Sequence, residues 1–240
     1  MNKIIALNHK MNLNYNELKE YIEKINSINT PNDIMIFPTY LYLESFIKEC
    51  KYKIGSQNVS NEPYGSFTGE VSSHQLNSLG VKYCIVGHSE RRTIYNETDE
   101  LIKEKTRMCI ANNIIPVICV GETLSEKQND ETMVKINNQI SHAILGLDDI
   151  ENKSIIIAYE PVYAIGTGMT PTIEEISEVI NYIYNIISKY DKITCSILYG
   201  GSVNQKNIKQ ILSIDKLDGV LIGTISSKIN EIKKIIEIAS

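Results

Sequence analysis

The stretch Ile155-Ile156-Ile157-Ala158-Tyr159-Glu160-Pro161-Val162-Tyr163-Ala164-Ile165-Gly166-Thr167-Gly168 decides how the rest of the chain is read. Its first four residues form a continuous apolar run, the signature of a strand buried on both faces, as parallel sheets require. Glu160 sets one carboxylate at the end of that strand. Pro161 keeps the residue before it out of the helical region, so the strand stops there. Gly166 and Gly168 flank a hydroxyl in a loop that can move, or bring N–H groups near an anion. A base at a strand end, followed by a small-residue lid, is a catalytic edge. Taken alone, the same letters equally suit a salt-bridged carboxylate and an ordinary turn.

Working outward, the same pattern recurs. Short apolar runs at 4–7, 33–37, 53–57, 83–86 and 114–120 precede the sixth, and runs at 193–198 and 218–222 follow it. Helix-forming sequence follows each, at 16–28, 40–50, 73–79, 99–112, 125–145, 172–189, 204–212 and 229–239. Alternating strand and helix implies a parallel sheet. Eight such units, with no linker, charge run or shift of composition between them, predict one (β/α)8 barrel domain over residues 1–240. An open doubly wound sheet lacks support, because no G-x-G-x-x-G follows the first strand. The loop at 58–70, rich in Gly, Ser, Asn and Pro, is long enough to signal a function or an interface.

Composition narrows the function. Of 240 residues, 42% are hydrophobic and 22% charged, which is ordinary for a soluble globular protein, and the net charge of −5 argues against nucleic acid as a partner. Five cysteines without a C-x-x-C pair read as small buried hydrophobes in a reducing compartment. No apolar segment reaches membrane-spanning length and the amino terminus does not read as a signal peptide, so a cytoplasmic protein is expected.

The polar residues of interest all follow strands. Asn8 and Lys10 follow the first, His88 and Glu90 the fourth, Glu160 the sixth, Gly200-Gly201-Ser202 the seventh, and Gly223-Thr224 the eighth. Singly, Lys10 reads as a surface lysine, His88 as a helix cap and the Gly-Gly pair as a tight turn. In a barrel all of them gather at one mouth, where active sites of this fold sit. Glycine-containing loops after strands six, seven and eight are then placed to aim N–H groups at one phosphate. Lys10 neutralises negative charge, Glu160 is the candidate base and His88 the candidate proton shuttle. The set predicts proton abstraction beside a carbonyl on a small phosphorylated substrate. Without an H-E-x-x-H or a Cys/His cluster, neither metal nor organic cofactor is expected.

At these residues the chain resembles the triosephosphate isomerase family nearly end to end. The matching blocks are Asn8-His9-Lys10-Met11-Asn12, Ser66-Phe67-Thr68-Gly69-Glu70, Val86-Gly87-His88-Ser89-Glu90-Arg91-Arg92, Ala158 through Gly168, and Tyr199-Gly200-Gly201-Ser202-Val203. The resemblance implies interconversion of dihydroxyacetone phosphate and D-glyceraldehyde 3-phosphate through an enediolate, a step of glycolysis and gluconeogenesis. It implies Glu160 as the base, His88 as electrophile and proton shuttle, Lys10 as the stabilising cation, Asn8 holding the site and Glu90 beside it. A neutral imidazole at a helix start is likewise a property known of this family, not one read from these residues. Gly166, Ser202, Gly223 and Thr224 would give N–H groups to the phosphate. The lid would comprise Pro161, Val162, Tyr163, Ala164, Ile165, Gly166, Thr167, Gly168, Met169 and Thr170. The loop bearing Phe67, Thr68, Gly69 and Glu70 would dock beside the site of a second subunit in a homodimer.

Four positions depart from the family pattern. His9 and Tyr163 stand where it usually has tryptophan; each is expected to fill an apolar niche with a polar edge. Thr224 replaces a second glycine, and its Cβ is expected to restrict the backbone and crowd the phosphate. Pro171 replaces alanine at the far lid hinge and lacks the N–H that would meet the phenol of Tyr199. Two alternatives follow: a related barrel isomerase acting on another sugar phosphate, or an inactive phosphate-binding barrel, which only Thr224 and Pro171 favour.

Overall fold

Strand side chains alternate between two faces, and in a closed barrel one face fills the interior while the other meets the helices. The computed structural model, which describes residues 2–147, 153–164 and 170–240, follows that rule. Ala6, Met35, Ile85, Val117, Ile156, Ala158, Leu198 and Leu221 pack together inside the barrel. Their chain neighbours Ile5, Leu7, Ile36, Ile118, Ile157, Tyr159, Tyr199 and Ile222 belong to the outer core beneath the helices.

The elements run β1 (Ile4–Asn8), α1 (Tyr15–Asn26), β2 (Asp33–Phe37), α2 (Leu43–Glu49), β3 (Lys53–Ser56), α3 (Ser73–Leu79) and β4 (Tyr83–Val86). Next come α4 (Ser89–Ile94), α5 (Asp99–Ala111), β5 (Ile115–Val120), α6 (Leu124–Gln128), α7 (Thr132–Ile144) and β6 (Lys153–Tyr159). The chain closes with α8 (Ile173–Ile187), β7 (Ile193–Tyr199), α9 (Ile208–Leu212), β8 (Gly219–Ile222) and α10 (Ile229–Ala239). Every strand pairs in parallel with its chain neighbours, and β1 pairs with both β2 and β8, which closes the expected (β/α)8 barrel.

Local signals set the helix starts. Asn14 with Glu17, Ser72 with Gln75, Thr123 with Glu126 and Thr172 with Glu175 are reciprocal caps in which each side chain accepts the other residue's backbone N–H. Such a cap contributes about 1 kcal/mol. The one long helix expected over 125–145 is two, α6 and α7. The chain breaks at 129–131, where Asp130 adopts φ 57°. Asp tolerates that left-handed conformation because its short side chain bonds locally. Residues 125–132 carry no apolar side chain and include the turn-favouring pair Asn129-Asp130, so the sequence does mark the break. Helix α4 starts at Ser89 with His88 as its cap, where the sequence reads as a helix start. Among the described residues, no helix is long and apolar enough to cross a membrane.

Candidate active site

The inward parity of β1 and β6 continues past the strand ends. Ala6 points into the barrel, and so does Asn8 two residues later; Ala158 points inward, and so does Glu160. Glu160 is only 2% exposed, with its carboxylate at the barrel mouth. Its Oε2 accepts the Ser89 backbone N–H at 3.1 Å, at the start of α4. There the unpaired N–H groups of a helix end favour negative charge.

His88 breaks parity. It follows Val86 of the outer core by two, yet it lines the cavity. Gly87, at φ 69°, turns the chain between them, a conformation that costs glycine little. The ring Nδ1 accepts the Glu90 N–H at 3.2 Å. An accepting Nδ1 leaves the ring proton on Nε2, so the imidazole is a neutral donor from that atom. Nε2 lies 3.3 Å from Glu160 Oε1. His88 is therefore both the cap of α4 and a member of the site.

Lys10 reaches the same point. Its Nζ donates to Glu90 Oε1 at 2.6 Å. Its backbone holds φ 51°, which is uncommon for a side chain of this size. Two contacts hold it there: the Lys10 N–H donates to Asn8 Oδ1 at 3.0 Å, and Gln57 Nε2 donates to the carbonyls of Lys10 and Phe37, each at 2.8 Å. Sequence reasoning missed Gln57 by treating it as the last residue of a strand. The signal available was its place, an amide at a strand end on the mouth side.

Asn8, Lys10, His88 and Glu160 share one cavity of about 280 Å³ with Gly200, Gly201, Ser202, Gly223 and Thr224. Gly200 is required by proximity: a Cβ there would stand 2.7 Å from Glu160 Cγ. The structure thus brings together the expected base, shuttle, cation and two of the three glycine loops. Gly166, an expected phosphate donor, and the lid residues Ile165, Thr167, Gly168 and Met169 lie outside the described residues. Pro161 is buried, Val162–Ala164 form a single 3-10 turn, and Thr170 is exposed. Phe67, Thr68, Gly69 and Glu70 are themselves exposed and do not line this cavity. Among the described residues, no group of three or more His, Cys, Asp or Glu side chains is placed to hold a metal ion.

A second polar cluster supports the turn after Glu160. Glu122 is buried, its carbonyl accepts the Val162 N–H at 3.0 Å and its Oε1 accepts the Tyr159 hydroxyl at 3.1 Å. Burial raises the Glu122 carboxyl above its ordinary pKa. Lys127 Nζ donates to the Tyr163 hydroxyl at 2.8 Å and to Glu175 Oε1 at 2.7 Å, which holds the Glu175 carboxyl below its ordinary value. Tyr163 thus has the polar edge expected of it.

Of the other departures, His9 and Thr224 differ from expectation and Pro171 does not. His9 packs edge-on to Tyr21 and Phe46, with centroids 4.6 and 5.5 Å away. Among the described residues neither of its ring nitrogens finds a partner, and burial pushes its pKa down to about 3. Thr224 is not in the left-handed region, so its Cβ imposes no strain there. The Tyr199 hydroxyl is buried without a partner among the described residues, as the missing N–H of Pro171 led one to expect.

Comparison with known proteins agrees with this geometry. A family model described as triosephosphate isomerase matches residues 3–239. A triosephosphate isomerase of Clostridium botulinum (strain Loch Maree / Type A3) is 37% identical, covering 97% of this chain and 98% of its own. Those of Mesomycoplasma hyorhinis and Alkaliphilus metalliredigens are 40% and 39% identical, with 97% and 94% of each chain covered.

Proposed function

The chain belongs to the triosephosphate isomerase family and is an isomerase of triose phosphates, and on that premise we propose that Glu160 is the base that interconverts dihydroxyacetone phosphate and D-glyceraldehyde 3-phosphate. The observation that carries this reading is the meeting of Glu160 Oε1 and the His88 Nε2 donor, 3.3 Å apart, in a cavity that also holds Lys10. The carboxylate takes a proton from the carbon bearing the hydroxyl. The electrons of that C–H bond form the enediolate double bond, and the carbonyl pair moves onto oxygen. His88 gives that oxygen its Nε2 proton and takes one from the neighbouring oxygen; Glu160 returns its proton to the adjacent carbon. Lys10 stabilises the negative charge of the enediolate and phosphate. Asn8 holds the Lys10 backbone, and Glu90 orients both Lys10 and His88.

A coupled assay of dihydroxyacetone phosphate isomerisation with the purified protein tests the reaction, with other sugar phosphates run beside it. Glu160→Asp withdraws the carboxylate by one methylene. A displacement of about 1 Å costs ~100-fold in rate, so kcat should fall by that order. Turnover within twofold of wild type would remove Glu160 from the role.

The same premise supports a homodimer. A groove of about 410 Å³ beside the site carries Met11, 94% exposed, and Leu41, 80% exposed, with Tyr95 at its edge. The loop at 58–70 projects Tyr64, 83% exposed, together with Phe67 and Thr68. Such apolar exposure marks a contact surface. The loop of each subunit docks in the groove of the other, next to Asn8, Lys10 and His88. Light scattering of a fully active preparation should give twice the 27.1 kDa chain mass; a fully active monomer at micromolar concentration would contradict the docking.

A further inference from the structure

Thr224 stands at the corner of a turn that is fixed from behind. The Ser226 N–H donates to the Gly223 carbonyl at 2.9 Å and closes the turn. The Ser226 hydroxyl donates to the Asn8 carbonyl at 2.5 Å, and the Ser226 carbonyl accepts the Tyr21 hydroxyl at 2.8 Å. One bond therefore closes this turn and two anchor it, to β1 and to α1. Thr224 itself is exposed and lines the cavity. Its hydroxyl makes no hydrogen bond among the described residues, so it does not cap the turn that follows.

Lys10 lies across the neighbouring residue. A Cβ on Gly223 would stand 2.9 Å from Lys10 Cε and 3.4 Å from Nζ. The uncommitted hydroxyl is thus one residue from a cation, on a rigid turn, with Ser202 lining the same cavity. Hydroxyl donors beside an ammonium suit an anion with several acceptor oxygens.

We propose that the Thr224 side chain, and not only its backbone, binds the substrate phosphate, its hydroxyl donating to a phosphate oxygen beside Lys10. The assignment rests on the isomerase reading for the identity of the anion. It reverses the steric expectation drawn from the sequence, because the backbone here takes no conformation that Cβ forbids. The contact serves bound substrate and transition state alike, so its loss falls on KM more than on kcat. A side-chain donor to a charged oxygen in a solvent-open site corresponds to about three- to tenfold in affinity.

The test compares Thr224→Val, which keeps the shape and loses the hydroxyl, with Thr224→Gly and Thr224→Ser. KM for both triose phosphates and the inhibition constant of inorganic phosphate should rise about three- to tenfold in the valine and glycine variants. The serine variant should recover most of that affinity. Thermal unfolding confirms that each variant is folded. Unchanged phosphate inhibition in Thr224→Val, or tighter inhibition in Thr224→Gly, overturns the proposal. Wild-type turnover tests the isomerase reading separately. Calorimetric titration of wild type and Thr224→Val with inorganic phosphate still decides the role of Thr224 should that turnover be absent.

Discussion

The two walls of the cavity differ in what their polar groups are bonded to. On the wall built by β1, β4 and β6, each reactive group is already held by the protein: Lys10 by Glu90, His88 by the Glu90 N–H, and Glu160 by the Ser89 N–H. On the wall built by the turns after β7 and β8, the hydroxyls of Ser202 and Thr224 make no hydrogen bond among the described residues. A group that moves a proton must keep its orientation before the substrate arrives, so the protein supplies its partners in advance. A group that holds an anion has to leave its donors for the anion's oxygens. The contrast separates a chemical half of the site from a binding half.

The most damaging change to the held wall is predicted at Gly200, where the two walls touch. Gly200→Ala sets a Cβ 2.7 Å from Glu160 Cγ, and the carboxylate has to give way. A shift of about 1 Å predicts a fall in kcat of ~100-fold with KM little changed. A rise in KM with steady kcat would place Gly200 in the binding half instead.

Behind the held wall His9 is the exception: it lies between Asn8 and Lys10 in sequence but packs against Tyr21 and Phe46, and its ring nitrogens have no partner among the described residues. Its folded pKa of about 3 lies below the ordinary histidine value. The unfolded chain therefore takes up a proton as pH falls through ~6.5, while the folded protein does not until about pH 3. Stability is retained above ~6.5 and declines as pH falls from there toward the folded value. By pH ~5 the linkage amounts to about 2 kcal/mol. Unfolding titrations at pH 7 and pH 5, at fixed protein concentration, should show the wild type losing about 2 kcal/mol more than His9→Phe. Equal losses would mean that the imidazole finds a partner on acidification.

The smallest effect is expected beneath the open wall. The buried Tyr199 hydroxyl has no partner among the described residues, and an unpaired buried hydroxyl destabilises the fold. Tyr199→Phe should raise stability by about 1 kcal/mol, or a few degrees in Tm for a chain of this size. A loss of stability would reveal a bond that the hydroxyl makes in solution.

Much of this was legible before the fold was known. Strand apolarity and the residues just past each strand placed Asn8, Lys10, His88 and Glu160 on one rim, because a closed parallel barrel sends every strand the same way. The break at 129–131 was legible in the polar run 125–132 with its Asn129-Asp130 pair, but the helix-forming Glu, Lys and Gln around it masked that signal. Gln57 has only its place at a strand end to mark it, because its two bonds are to backbone carbonyls, which no motif records.

By itself the sequence determined the order of strands and helices, the helix caps and the inward parity of Asn8 and Glu160. Each of these depends on residues within a few positions of one another. Only the tertiary structure decided that Lys10 meets Glu90, 80 residues away, that the Ser89 N–H meets Glu160 across 71, and that Gln57 secures the strained Lys10. It also decided that His9 has no partner among the described residues and that Thr224 stays out of the left-handed region. Those outcomes follow from where barrel closure sets distant backbone, and local propensity carries no record of that distance.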